Sequence, residues 1–169
     1  FESNDRSNIH FHHVPALRTT ALTTILSFPL AASVMLRHDF DIVHSQGLCA
    51  FRQDVVTAHI CNAAWFESQK SRRGKLNPRQ RIFRAAVCDW ERAIYQPSGS
   101  KWIIAVSEKV KDEVARYYGR SELVSVIRPG VDCERFHPDN GKTYRTQVRR
   151  TLGCAEEEFL TLYVGDMQK

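Results

Sequence analysis

Glycine and proline are scarce, at eight and six of 169 residues. That scarcity excludes a collagen-like chain, a linker or a low-complexity segment. Cysteine is present but not organised. There are five, an odd number, and the nearest pair, Cys49 and Cys61, is twelve positions apart. No CxxC or zinc-ribbon spacing exists, so the expectation is free thiols, mostly buried as small hydrophobes, in a reducing compartment. Several signatures of chemistry are also missing. No two glycines lie two apart, so there is no GxGxxG, and no Walker loop, HExxH, GxSxG or EF-hand loop occurs. The trio His10, His12 and His13 has no completing carboxylate or thiol, and on a strand His12 and His13 would point to opposite faces. No metal set is read from it. No basic start followed by an apolar run and a small-residue cleavage site marks a signal peptide.

What is present is ordinary for a folded domain: 43% apolar and 25% charged residues, in a length that suits one domain or one and part of a second. The net charge of +5 is local. Seven of the 24 cations fall within 70–84, a stretch with no acid, and the rest of the chain holds fewer cations than its 19 acids. Three readings of this run stay open. It is a solvated loop and helix start, or it meets an anionic membrane or another phosphate-bearing group through Lys70, Arg72, Arg73 and Lys75, or it binds nucleic acid. Phe83 is the sole aromatic residue within it, which supports base stacking poorly. Between Arg18 and Arg37 lie eighteen uncharged residues, close to a membrane span in length. Their four threonines, two serines and Pro29 favour instead a buried or half-buried amphipathic helix with the apolar stripe Leu22, Ile25, Leu26, Leu30 and Val34.

Short apolar runs alternate with helical periodicity. Strands are expected at 8–14, 40–44, 54–59, 101–106, 123–127 and 159–164. Helices are expected over 20–38, 77–95, from Ser107 to Gly119, and over 142–152. Asn77, Pro78 and Gln80 compose a capping box with proline at the first helical position, Ser107 is expected mainly as a cap, and Gly119 suits a left-handed stop. This alternation predicts an α/β fold, a Rossmann-like parallel sheet with crossover helices. Ligands bind outside the carboxyl ends of such strands, where Gln46, His59, Ser107, Arg128 and Gly165 stand. The charge-rich stretch 132–142 reads as a connection between two units.

Particular motifs carry a resemblance. Residues 93–138, from AIYQPSGSKWIIAVSEKVKDEVARYYG to VSVIRPGVDCERFHP, resemble the retaining, GT-B fold enzymes of glycosyltransferase family 4. So do DIVHSQG at 41–47, VVTAH at 55–59 and FLTLYVGDMQK at 159–169. The resemblance implies an incomplete acceptor domain over 1–128, a crossover over 129–140 with Arg128, Gly130 and Asp132 at its turn, and the start of a second Rossmann-like, donor-binding domain over 141–169. Asp132 would brace the turn by an Asx-type bond. Pro129 stands where the family usually has asparagine, and Asp166 where many relatives have arginine.

The resemblance further implies that His59 works at the cleft beside the donor sugar, that Gly165 and Lys169 meet the donor phosphates, and that Gln46 and Asn62 contact the acceptor from loop positions. The function implied is transfer of a sugar from a nucleotide-diphosphate donor to a glycan, lipid-linked or small hydroxyl acceptor, with retention and with no metal or other cofactor. The implied location is cytoplasmic, with peripheral membrane contact open. The family's glycine-rich opening loop and its glutamate pair eight positions apart do not occur here. The chain is therefore expected to be an internal portion, inactive alone, with the strand at 159–164 frayed, paired irregularly with the first sheet or used in self-association. A non-catalytic acceptor-binding module and a basic nucleic-acid-binding domain remain as alternatives.

Overall fold

The computed structural model describes residues 9–36, 40–73 and 76–165, with backbone alone for 70–73. The chain divides into two compact units between Arg128 and Pro129. In the first, four parallel strands lie in the order β1 (His44–Gln46), β2 (Gln53–Ala58), β3 (Ser100–Ala105) and β4 (Val124–Val126). Four helices accompany them: α1 (Ala21–Met35), α2 (Asn62–Arg73), α3 (Pro78–Tyr95) and α4 (Glu108–Tyr118). This is the α/β Rossmann-like arrangement that the alternating pattern predicts.

Side chains alternate across a strand, so the register separates two faces of the sheet. One face presents Val56, Ala58, Ile103, Ala105 and Val124, all buried. They pack with Ile94 and Tyr95 of α3 and with Val110, Val114 and Tyr118 of α4 in a single core. The opposite face is more open. It carries His44, Gln46 and Trp102, which are exposed, with Val55 and Ile104 half-buried. At the start of the strands Lys101 pairs with Asp54 at 2.8 Å, and Asp54 also takes the N–H of Val43 at 2.9 Å. The ammonium and that N–H hold the Asp54 carboxyl below the usual range.

Local chemistry sets most element ends where the sequence predicts. Asn77 and Gln80 cap α3 reciprocally at 2.9 and 3.0 Å, with Pro78 opening the helix. Ser107 caps α4 through the N–H of Val110, and Gly119 ends it at φ +68°. Thr20 and Thr23 form a capping box on α1.

Other expectations are corrected. Described residues 9–14 form no strand, and Ile9 and Phe11 are exposed, because no neighbour offers them a ladder. Residues 40–44 yield only the start of β1 at His44. Before it, the carbonyl of Val43 accepts both Asp54 N and Val55 N, which interrupts regular pairing. The apolar stripe of α1 is not its buried face: Leu26, Leu30 and Val34 are exposed and Pro29 alone is buried. Among the described residues no helix is long and apolar enough to cross a membrane. The link from β1 to β2 carries no helix. Conversely, the sequence pattern missed α2 entirely. All five cysteines are free, yet only Cys61 is buried; Cys133 is exposed and the others are half-buried.

The second unit holds α5 (Asn140–Thr151) and a short return. Arg149 is buried and donates through its guanidinium to the carbonyls of Ala155 and Glu158, which folds the segment after α5 against the helix. Described residues 159–165 form no strand, and Phe159, Leu162 and Val164 stand exposed.

Gly99 closes the tight turn into β3, with its N–H on the carbonyl of Gln96. A Cβ at Gly99 would press on the carbonyl oxygen of Ala93 and stand 2.8 Å from Ile94 Cα, both backbone atoms that cannot step aside. Gly99→Ala is therefore expected to destabilise the chain by roughly 1–3 kcal/mol, the usual cost of overpacking, as read by urea denaturation. An unchanged midpoint would refute this close approach.

Candidate functional site

The carboxyl ends of β1 and β2 bring two predicted residues together. Gln46 ends β1 and His59 directly follows β2. The register pairs Gln46 with Thr57, so His59 stands one step beyond, and its Nε2 meets Gln46 Oε1 at 2.8 Å. An amide oxygen only accepts, so this bond places the proton of a neutral imidazole on Nε2. Among the described residues no hydrogen bond engages Nδ1. Both residues are exposed, and Nδ1 is an acceptor in the neutral ring and a donor in the protonated one. One step down the same face, His44 Nε2 meets Thr57 Oγ1 at 2.8 Å. Gly47, at φ +73°, turns the chain away from β1 and donates to the carbonyl of Thr57.

A cleft of about 880 Å³ adjoins this pair. Phe28, Ala32, Met35 and Val43 line it, with His12, His44, Gln46 and Cys49 at its polar side. Burial raises the Cys49 thiol above its ordinary range.

Asn62 is placed differently from its expected role. It opens α2, and both its backbone N–H (3.0 Å) and its side-chain amide (2.8 Å) donate to Glu91 Oε1. Glu91 is completely buried on α3. Its Oε2 accepts the N–H of Ala63 at 3.3 Å and the hydroxyl of Tyr118. Four donors, two of them at the positive end of α2, thus surround one carboxylate, and among the described residues it has no cationic partner. One N–H of the Asn62 amide is engaged by this network. Glu91 was missed because a glutamate is usually read as solvated. The signal was its position in the stripe Val87, Glu91, Ile94 and Tyr95, at the 4-3-1 spacing of a buried helix face.

Arg128 ends the first unit; Gly130 and Asp132 belong to the second. Asp132 Oδ1 accepts the N–H groups of Glu134 and Arg135, each at 3.0 Å, a local Asx turn. Gly130 has open space where a Cβ would be, so nothing there demands glycine. Gly165 is exposed at the end of the described residues. Lys169 and Lys75 lie outside the described residues. Lys70, Arg72 and Arg73 fall in the last turns of α2, and their side chains lie outside the described set. Among the described residues no group of three His, Cys, Asp or Glu could hold a metal.

Around Glu91 several acidic protons are held tightly. Burial, helped by the neighbouring carboxylate, pushes the Cys61 thiol up to about 11 and raises the Tyr95 and Tyr118 hydroxyls strongly. A pKa raised on folding contributes stability below the unfolded value and loses it as pH climbs to the folded one. Stability is therefore expected to fall from pH 9 to 11, by on the order of 2 kcal/mol for Cys61 alone, and more steeply above 10 as the tyrosines join. Urea midpoints across that range test it; in Cys61→Ala the loss between pH 9 and 10 is expected to be smaller, with other, half-buried thiols still contributing.

Comparison with known proteins adds a lineage to this geometry. The model of Glycosyltransferase Family 4 matches residues 2–135. A D-inositol 3-phosphate glycosyltransferase of Catenulispora acidiphila is 25% identical over 173 aligned residues, covering 93% of this chain and 38% of that protein. One from Streptomyces bingchenggensis is 40% identical over 67 residues, 39% of this chain and 14% of that protein. One from Thermomonospora curvata is 34% identical over 74 residues, 42% and 17% respectively. The chain spans well under half the length of these curated relatives.

Proposed function

The chain belongs to glycosyltransferase family 4, and from that premise we propose that the complete protein transfers a sugar from a nucleotide-diphosphate donor to a hydroxyl acceptor, with retention at the anomeric carbon. Residues 1–128 supply the acceptor side of that reaction, 129–140 the crossover, and 141–169 the beginning of the donor side. The observation that carries the reading is the His59–Gln46 pair at the strand tips, joined through Nε2 of an exposed imidazole. A group transfer of this kind breaks the bond between the anomeric carbon and the diphosphate. Negative charge grows on the leaving oxygen and positive charge on the sugar ring. A neutral imidazole anchored through Nε2 can accept a sugar hydroxyl at Nδ1; a protonated one can donate there to the departing phosphate. Gln46 fixes the ring plane in either state. Gly165 and Lys169 are the proposed phosphate contacts, through a backbone N–H and an ammonium. No metal or other cofactor enters this reading.

The family relatives named above act, by their names, on D-inositol 3-phosphate. A phosphorylated or lipid-linked acceptor would suit the cations of 70–84 in this chain. The same run is proposed to hold the protein on an anionic membrane surface. The helices flanking it expose Trp65 and Ile82 beside Arg79 and Arg81. Co-sedimentation with phosphatidylserine vesicles, lost when Lys70, Arg72, Arg73 and Lys75 are changed to glutamine, tests the membrane arm; retained sedimentation rejects it.

In the complete protein, His59→Ala is expected to lower kcat for sugar transfer about 10²–10³-fold while leaving the fold intact, the usual effect of losing one group that stabilises developing charge. Product formation from a panel of nucleotide sugars, followed by mass spectrometry, measures the rate, and proton NMR of the product gives its anomeric configuration. Transfer at the unaltered rate in His59→Ala would remove the histidine from the chemistry, and an inverted product would remove retention.

A further inference from the structure

The turn that carries His59 is only three residues long, 59–61, between the end of β2 at Ala58 and the start of α2 at Asn62. Its first end is held by the sheet: Ala58 pairs with Ala105, and its carbonyl accepts the N–H of Val106. Its second end is held by a side chain from a distant part of the sequence. Glu91 takes the backbone N–H groups of Asn62 and Ala63, the first two residues of α2, and Tyr118 of α4 donates to the same carboxylate. These N–H groups have no intrahelical partner in any α-helix. Ordinarily a local Ser, Thr, Asp or Asn satisfies them. Here residue 61 is cysteine, whose weakly accepting thiol lies toward the N–H groups of Ala63 and Ala64, and the carboxylate that takes the first two N–H groups arrives from 28 and 29 positions away.

We propose that Glu91 is a positioning residue for His59: by clamping the start of α2 it sets the 59–61 turn and so the place and plane of the imidazole. The inference deepens the reading of His59 given above and rests on it. Its physical basis is that a three-residue segment fixed at both ends has little conformational freedom, and the ring's one remaining degree of choice is taken by Gln46. Release of one end lets the turn relax, and a displacement of about 1 Å at a reacting group can cost a factor near 10². Glu91 itself is wholly buried and touches no substrate, so its effect must pass through His59.

The test is a double-mutant cycle in the complete protein. Glu91→Gln keeps volume and one accepting oxygen but turns an amide NH₂ toward one set of donors. It is expected to lower kcat for sugar transfer about tenfold when His59 is present and less than about twofold in a His59→Ala background, because the positioned group is then gone. The acceptor and donor KM values are expected to move less than kcat. An equal loss in both backgrounds would show a merely structural carboxylate and overturn the proposal. A second readout does not depend on activity. In ¹³C-histidine-labelled protein, the His59 ring resonance, identified by its disappearance in His59→Ala, is expected to shift in Glu91→Gln while the other histidine resonances hold still. An unmoved His59 resonance overturns the proposal. If His59→Ala alone leaves kcat unchanged, the reading of His59 in the reaction fails, and the resonance still decides whether Glu91 positions the ring. Should Glu91→Gln fail to fold, Tyr118→Phe, which removes only the hydroxyl donor to Oε2, carries the same cycle with an expected loss of about threefold.

Discussion

One buried carboxylate ties the first unit together. Glu91 gathers four hydrogen bonds from two other helices, α2 and α4, while its own helix α3 packs on the sheet. A carboxylate taken out of water costs several kcal/mol unless donors replace the solvent. Two of the donors here are α2's initial N–H groups, whose partial positive charge would otherwise face a low dielectric unpaired. Each group therefore solves the other's burial problem, and the three helices are locked in one mutual arrangement. Around this centre the aromatic rings close the remaining space. Tyr95 meets Tyr118 edge-on at 5.4 Å, and Arg92 lies over the Tyr118 ring at 5.6 Å.

The same constraint explains why a charge-rich segment becomes helix α2. Its composition, rich in polar residues after residue 66, does not announce an amphipathic element. Yet its first turn is capped from α3, and its aromatic pair Trp65 and Phe66 leans on Phe83, with the Phe66–Phe83 rings 6.2 Å apart. Arg84 stacks on Phe66 at 5.7 Å. The cations Lys70, Arg72 and Arg73 then fall in the last turns, where the helix dipole favours positive charge. A stretch that reads locally as a solvated run is thus half of a helical hairpin, and its charge is carried at one end of that hairpin.

Local signals were legible where the physics is local. The capping box of Asn77 and Gln80, the Ser107 cap, the left-handed Gly119 and the Asx turn at Asp132 all depend on side chains bonding within a few positions. The strand ends at Gln46 and His59 were legible for a related reason. A short apolar run that stops at a polar residue marks the edge of a parallel sheet, where ligands meet protein. Failures occurred where a partner was required. The run at 9–14 has strand-like composition but no ladder to join among the described residues, whereas 159–164 lacks strand pairing as its expected fraying requires. The apolar stripe of α1 was assigned to a core that does not cover it. Asn62, expected on a loop, instead opens α2, with one amide N–H on the carboxylate of Glu91.

The sequence alone determined the parallel α/β class, the ends of most helices and the strand tip on which His59 stands. Periodicity, caps and turn residues act over one or two turns of chain and need no distant partner. Tertiary structure alone decided that Gln46 and His59 would touch, that Asn62 would face inward, and that α2 would exist with Glu91 as its cap. Each of these joins residues 13 to 29 positions apart. Contacts of that span depend on how the sheet register and the helix packing bring separate elements together, and no local pattern of residue types encodes that placement.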